Sequence, residues 1–187
     1  GAATIEHLPN DYATIRKSFD NLRHGERSAY PLVGLGSLTM FDPSRVPPGK
    51  ATMHAWDYVP FARSDGKHWD DVKHDYVRRM LTHMGTFIAN VDDANILAYH
   101  SDSPVDMERT SSSFRRGDLH GIAATTYQYG AHRPTPDLGQ NAVPGCERLY
   151  LVGPFQHPGG GVFGAGRAAA VRVCDDLGID FTKVGKR

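Results

Sequence analysis

A chain of 187 residues is long enough for one ordinary domain with a real hydrophobic core. Lys and Arg total 21 against 21 Asp and Glu, so the net charge is zero and no like-charged block marks a nucleic-acid footprint or an interaction tail. No stretch approaches the roughly 20 apolar residues that span a bilayer, and Gly1 to Glu6 is neither a signal peptide nor a basic transit segment; the expected location is cytoplasmic, with peripheral membrane contact as the alternative.

The first patterned region is Gly- and Leu-rich, from Tyr30 to Phe41. It enters Asp42 to Lys50, where three prolines and a glycine forbid helix and impose a rigid turn. On the far side, Ala51 to Phe61 carries Met53, Ala55, Trp56, Tyr58 and Phe61 and reads as a strand, so the two flanks form a hairpin-like pair. Trp69, Val72, Tyr76, Val77, Met80, Leu81, Met84, Phe87 and Ile88 then recur at three- and four-residue steps and predict a helix with one apolar face. Asp70 and Asp71 sit in its first turn, where carboxylates suit the helix dipole, and Gly85 kinks or ends it.

Asn95 to His100 reads as a short strand. Ser103, Pro104 and Asp106 announce a brief helix: an N-cap serine, a proline at the first helical position and an acid three residues after the cap. An irregular Gly-, Tyr- and Pro-rich region runs from Gly121 to Gly145, with Arg133 to Pro136 extended and stiff. Arg148 to Val152 is a short apolar run that fits a buried strand. A glycine-rich loop, Gly153 to Gly164, leads into a small-residue helix from Ala165 to Leu177 that stops at Gly178.

Two cysteines, Cys146 and Cys174, have no metal-type spacing and suit free thiols in a reducing compartment. The ten histidines are scattered, with no HExxH and no paired cysteine, so no metal site is expected. Strand, glycine loop and helix together are a physical solution for holding an anionic or electron-rich cofactor. The unpaired N–H groups at the helix start carry partial positive charge, and glycines let a ligand approach the backbone. Gly159 to Gly164 literally matches G-x-G-x-x-G, yet a complete dinucleotide site is excluded. Five residues separate Gly153 from Gly159, too little chain follows Gly164, and Asp180 would be an acidic partner on a near-terminal stub. On the pattern alone, a purely structural glycine turn remains an alternative.

Leu149 to Gly153, His157 to Val162, Gly164 and Gly166 to Ala169 resemble the C-terminal signature of phytoene-desaturase-like FAD-dependent oxidoreductases, a group that includes pyridine nucleotide-disulphide oxidoreductase domain proteins and is related to the amine oxidases. Asp42-Pro43-Ser44 with Pro47 to Lys50, Ser103-Pro104 with Asp106 to Glu108, Gly117 to Gly121 and Arg133-Pro134 resemble further landmarks of that group, in the same order. The resemblance implies a mixed α/β (α+β) chain, the C-terminal fragment of a glutathione-reductase-type FAD-binding fold. In it residues 1–145 form a mixed-sheet substrate region and 146–187 a flavin-contacting strand, loop and helix. Carried over residue by residue, Gly153, His157, Pro158, Gly159, Gly160, Gly161, Val162 and Gly164 are the flavin contacts.

The same resemblance implies FAD as cofactor and a small lipophilic substrate, and it assigns no catalytic side chain. The N-terminal dinucleotide-binding region is absent, so the implied partner is that region, from the same or a split protein, and this chain should not hold FAD tightly alone. Gly1 without a methionine suggests a chain cut from something longer. The competing expectation is a non-catalytic module that binds a hydrophobic ligand or another protein. His157 could relay protons or simply shape the loop, and Arg167 could reach a phosphate or be a solvated helix residue.

Overall fold

Among the described residues the regular elements are helices and a three-stranded antiparallel sheet, so the chain is of mixed α+β type. The structure, a computed structural model, describes residues 5–7, 10–28, 30–31, 33–123, 125–159 and 162–184. It divides into two compact units, Gly1–Met107 and Glu108–Arg187.

The first unit opens with β1 (Ile5–His7) and α1 (Tyr12–Arg23), neither signalled in the sequence. Asp11 caps α1, accepting from the Thr14 N–H and hydroxyl, both at 2.8 Å. Strand β2 (Gly34–Gly36) pairs antiparallel with β1 on one side and with β3 (His54–Trp56) on the other. The hairpin-like pair thus lies where expected, but each strand is only three residues long. Past Trp56 the Tyr58 N–H turns to the Asp57 carboxylate at 2.8 Å, and Pro60 has no N–H to give a ladder. In register Leu35 faces Ala55 and Gly34 faces Trp56. Val33 and Leu35 share the inward face, whereas the Trp56 indole lies over Gly34, where a Cβ would overlap the ring. Only glycine permits that approach.

The inward face meets α2 (Trp69–Gly85), the helix that the three- and four-residue spacing predicts. Trp69, Tyr76, Val77 and Met84 are buried, and Met84, Val33 and Leu35 form the core with Met80, Leu81, Ile88 and Val91 around it. The Trp69 indole N–H donates to the Pro60 carbonyl at 3.0 Å, which satisfies the one polar atom this side chain brings inside. Tyr76 donates to Asp57, and burial first, then the Asp57 charge, pushes its phenol far above the ordinary range. Gly85 is the last residue of α2, and a Cβ there would stand 2.8 Å from the Val91 carbonyl.

Residues 95–100 are not a strand. Asp92 gathers the Ala94 and Asn95 N–H groups into a turn, and the chain beyond is unpaired among the described residues, with Leu97 75 % exposed. An apolar run supplies a strand's side chains but not the neighbour it must pair with.

Helix α3 (Pro104–Thr110) starts as predicted, on a reciprocal cap. The Asp106 N–H donates to Ser103 Oγ at 3.2 Å, while Asp106 accepts from the Ser103 N–H at 2.9 Å and hydroxyl at 2.7 Å and from Lys73 at 3.0 Å. The Ser103 backbone and hydroxyl bonds, with Lys73 behind them, hold the Asp106 carboxyl far below its ordinary 3.8. A lowered folded value stabilises above the ordinary value and loses that stabilisation as pH falls through the lower one. Asp106→Asn should therefore lower the free energy of unfolding in urea at about pH 6 by an amount on the order of 1 kcal/mol. The gap to wild type should shrink on acidification below the ordinary value; a gap independent of pH would contradict this account.

The second unit carries single 3₁₀ turns at Arg115–Gly117, Thr126–Gln128 and Gly130–His132, as irregular as the sequence suggests. Residues 148–152 are not a buried strand: one bridge pairs Tyr150 with Ala142, and Leu149 and Val152 are 48 % and 56 % exposed. Helix α4 (Val162–Asp176) begins three residues earlier than expected, so Gly164 lies in the helix rather than the loop. It ends as predicted at Gly178, whose φ of +70° lets its N–H reach the Asp175 carbonyl and the Ile179 N–H reach that of Cys174. Both cysteines are free thiols. No helix among the described residues is long and apolar enough to cross a membrane.

Candidate functional site

The glycine loop of the second unit is organised around one buried cation. Arg133 is 2 % exposed, and all five of its guanidinium N–H bonds end on main-chain oxygens. Nε donates to Pro154 at 3.3 Å, Nη1 to Ala123 at 3.5 Å and Gln128 at 3.4 Å, and Nη2 to His120 at 3.0 Å and Ile122 at 2.9 Å. Four of those carbonyls belong to the irregular segment before Arg133, and the fifth belongs to the loop itself. A segment with almost no regular hydrogen bonding is held in place by a side chain.

The loop's glycines answer to this packing. Gly159 has φ +79°, and a Cβ there would sit 2.7 Å from Arg133 Cδ, so the loop backbone lies directly on the arginine stem. Gly153 has φ +148°, and a Cβ there would stand 3.1 Å from the Phe155 ring. A Cβ on Gly164 would meet Pro158 Cγ at 2.9 Å, so the proline packs against the first turn of α4. Each of these three glycines is therefore required by the chain's own packing.

Other features of the loop are not explained internally. Gln156 is fully buried, yet neither its Oε1 nor its Nε2 has a hydrogen-bond partner, and the buried Nδ1 of His157 also lacks one among the described residues. Leaving such groups unpaired costs roughly 1–3 kcal/mol each. The positive end of α4 and the Arg133 charge act on the same loop. A buried amide able both to donate and to accept, beside positive potential, fits an electron-rich heterocycle with an imide edge, and the flavin ring of FAD has that chemistry.

Of the predicted contacts, Gly153, His157 and Gly159 are half-buried in the loop and Pro158 is exposed on it. Val162 is the first residue of α4 and Gly164 its third, while Gly160 and Gly161 lie outside the described residues. Arg167 is exposed and stacks over the Phe181 ring at 5.4 Å. Gln156 was not legible as special, because an uncharged residue before His-Pro carries no pattern. Arg133 stood out only as part of an Arg-Pro step; its role depends on carbonyls up to 21 positions away. Among the described residues no group of three His, Cys, Asp or Glu side chains is placed to hold a metal ion.

No family model matches the chain. It is 31 % identical over 147 residues, 76 % of its length, to a Castellaniella defragrans protein named as one of the subunits of limonene dehydrogenase. Over 170 residues, 89 % of its length, it is 30 % identical to the mouse and 29 % identical to the rat pyridine nucleotide-disulfide oxidoreductase domain-containing protein 2. It spans 26 % to 29 % of these relatives' own lengths. These similarities relate the chain to proteins of the pyridine nucleotide-disulfide oxidoreductase kind.

Proposed function

We propose that this chain is the C-terminal part of an FAD-dependent dehydrogenase of the phytoene-desaturase-like type, with a fold of the glutathione-reductase type in the complete protein. Residues 1–145 serve the substrate side, and 146–187 contact the flavin. The observation that carries this reading is the loop from Gly153 to Gly159, which joins a buried guanidinium, a helix N-terminus and the unpartnered amide of Gln156. Relatives named as oxidoreductases, one of them for limonene, support redox chemistry on a lipophilic substrate.

FAD, when bound, supplies the ring that takes up or gives back hydride. The protein's part is to seat and polarise that ring. Main-chain N–H groups of Gly153, His157, Gly159 and Val162 are the donors we assign to its carbonyl edge, while Pro158 packs against Gly164 where the chain enters α4. The dinucleotide half of FAD needs a separate binding region, which we assign to the rest of the complete protein. That region would also cover the exposed Leu149, Val152 and Phe155 beside the loop. On the substrate side, Phe19, Tyr58 and Trp56 form a chain of ring contacts at 5.6 and 5.2 Å on the sheet face opposite the core, an apolar surface suited to a lipophilic molecule.

The self-packing of Gly153, Gly159 and Gly164 favours one alternative, a non-catalytic module that keeps the turn and has no flavin. Purification of the complete natural protein separates the two. The dehydrogenase reading expects a yellow protein whose flavin absorbance is released on denaturation, with little FAD retained by the 187-residue chain alone. A colourless complete protein that takes up no added FAD would contradict it.

A further inference from the structure

We propose that Arg133 is a positioning residue for the flavin loop, and that its uncompensated charge tilts a bound flavin toward the reduced form. This rests on the flavin reading above. Two observations carry it. First, the guanidinium spends every N–H on a main-chain carbonyl, so it fixes Pro154 relative to His120, Ile122, Ala123 and Gln128 as one rigid assembly. Second, no carboxylate pairs with it among the described residues, and at 2 % exposure water does not screen it.

Carbonyl dipoles can solvate a buried charge, but they do not cancel its sign. The Arg133 stem lies against the Gly159 backbone, so a ring resting on the other side of that backbone feels a full positive charge through a thin, poorly screening layer. Two-electron reduction adds negative charge to the ring, and the cation favours that state. The same bonds draw electron density from the Pro154 carbonyl and make the following N–H a better donor. Arg133 does not touch the reacting atoms; it sets where the loop stands and what potential it presents.

The test uses the complete protein loaded with FAD and reads two quantities other than turnover: the flavin midpoint potential by spectroelectrochemistry, and the rate of FAD release by fluorescence. Arg133→Met keeps most of the bulk and removes the charge. Its midpoint potential should fall by about 30 mV or more, tenfold in the two-electron equilibrium. Arg133→Lys keeps the charge but has at most three donors for five carbonyls. It should hold the potential within about threefold of the wild-type equilibrium constant while releasing FAD faster.

Arg133→Met that retains FAD at the wild-type potential overturns the inference and leaves the flavin reading standing. Should Arg133→Met fail to fold, Arg133→Lys decides alone. A tenfold drop in its equilibrium constant with FAD release unchanged overturns the inference, because charge would then not be the controlling property. Wild-type protein that never takes up FAD overturns the flavin reading, and this inference with it.

Discussion

Gly159→Val should cost about 2–4 kcal/mol in the second unit and reduce FAD retention by the complete protein about tenfold or more. Two independent penalties act at this position. A φ of +79° is open to glycine at no cost, but it places a β-branched side chain in a region that such residues rarely adopt. The new Cβ would also arrive 2.7 Å from Arg133 Cδ and 2.8 Å from its Nε. That stem cannot swing aside cheaply, since doing so abandons its hydrogen bonds to five main-chain carbonyls. Gly159→Ala should show the same defect in milder form, and Lys67→Ala, at an exposed position, should show none. Equal flavin retention in Gly159→Val and Lys67→Ala would remove the loop from the binding account.

In the first unit, Met84→Ala should be the most damaging core truncation, at about 2–5 kcal/mol. Met84 is 1 % exposed and packs with Val33 and Leu35, the only other members of that unit's fully buried apolar cluster among the described residues. With so few side chains sharing the burial, the cavity left by the thioether has little that can collapse into it. Urea unfolding followed by circular dichroism measures the loss, with Leu97→Ala, 75 % exposed in wild type, as a control expected within about 0.5 kcal/mol of it. A loss under about 1 kcal/mol for Met84→Ala would mean that the sheet and α2 are not held together by this cluster.

Elements whose stabilisation is local were legible. The three- and four-residue apolar spacing located α2, the Ser103-Pro104-Asp106 cap located α3, and Gly178 marked the end of α4, because in each case the decisive residues lie within one turn of each other. Elements decided by partners far along the chain were not. Residues 95–100 and 148–152 have the composition of strands, but Leu97, Leu149 and Val152 are exposed, and composition cannot provide the paired neighbour. Helix α1 carries no clear sequence signal because charged residues interleave Ile15, Phe19 and Leu22, and the side chain it buries is Ser18, bonded to Ser28 at 2.6 Å.

The candidate site divides along the same line. Gly153 and the His157 to Gly164 motif stand in the sequence for anyone to read, whereas their brace is invisible there. Arg133 acts through Pro154, 21 positions later, and through carbonyls that no side-chain pattern encodes. Gln156 is notable only because its amide is buried without a partner.

FAD, when bound to the complete protein, should rest its flavin on the loop ahead of α4. Hydrogen exchange by mass spectrometry on the complete protein, with and without FAD, tests this directly. Peptides covering residues 153–166 should exchange more slowly when FAD is bound, while the irregular stretch at 97–100 should not change. FAD binding that leaves exchange across 153–166 unaltered would contradict the account.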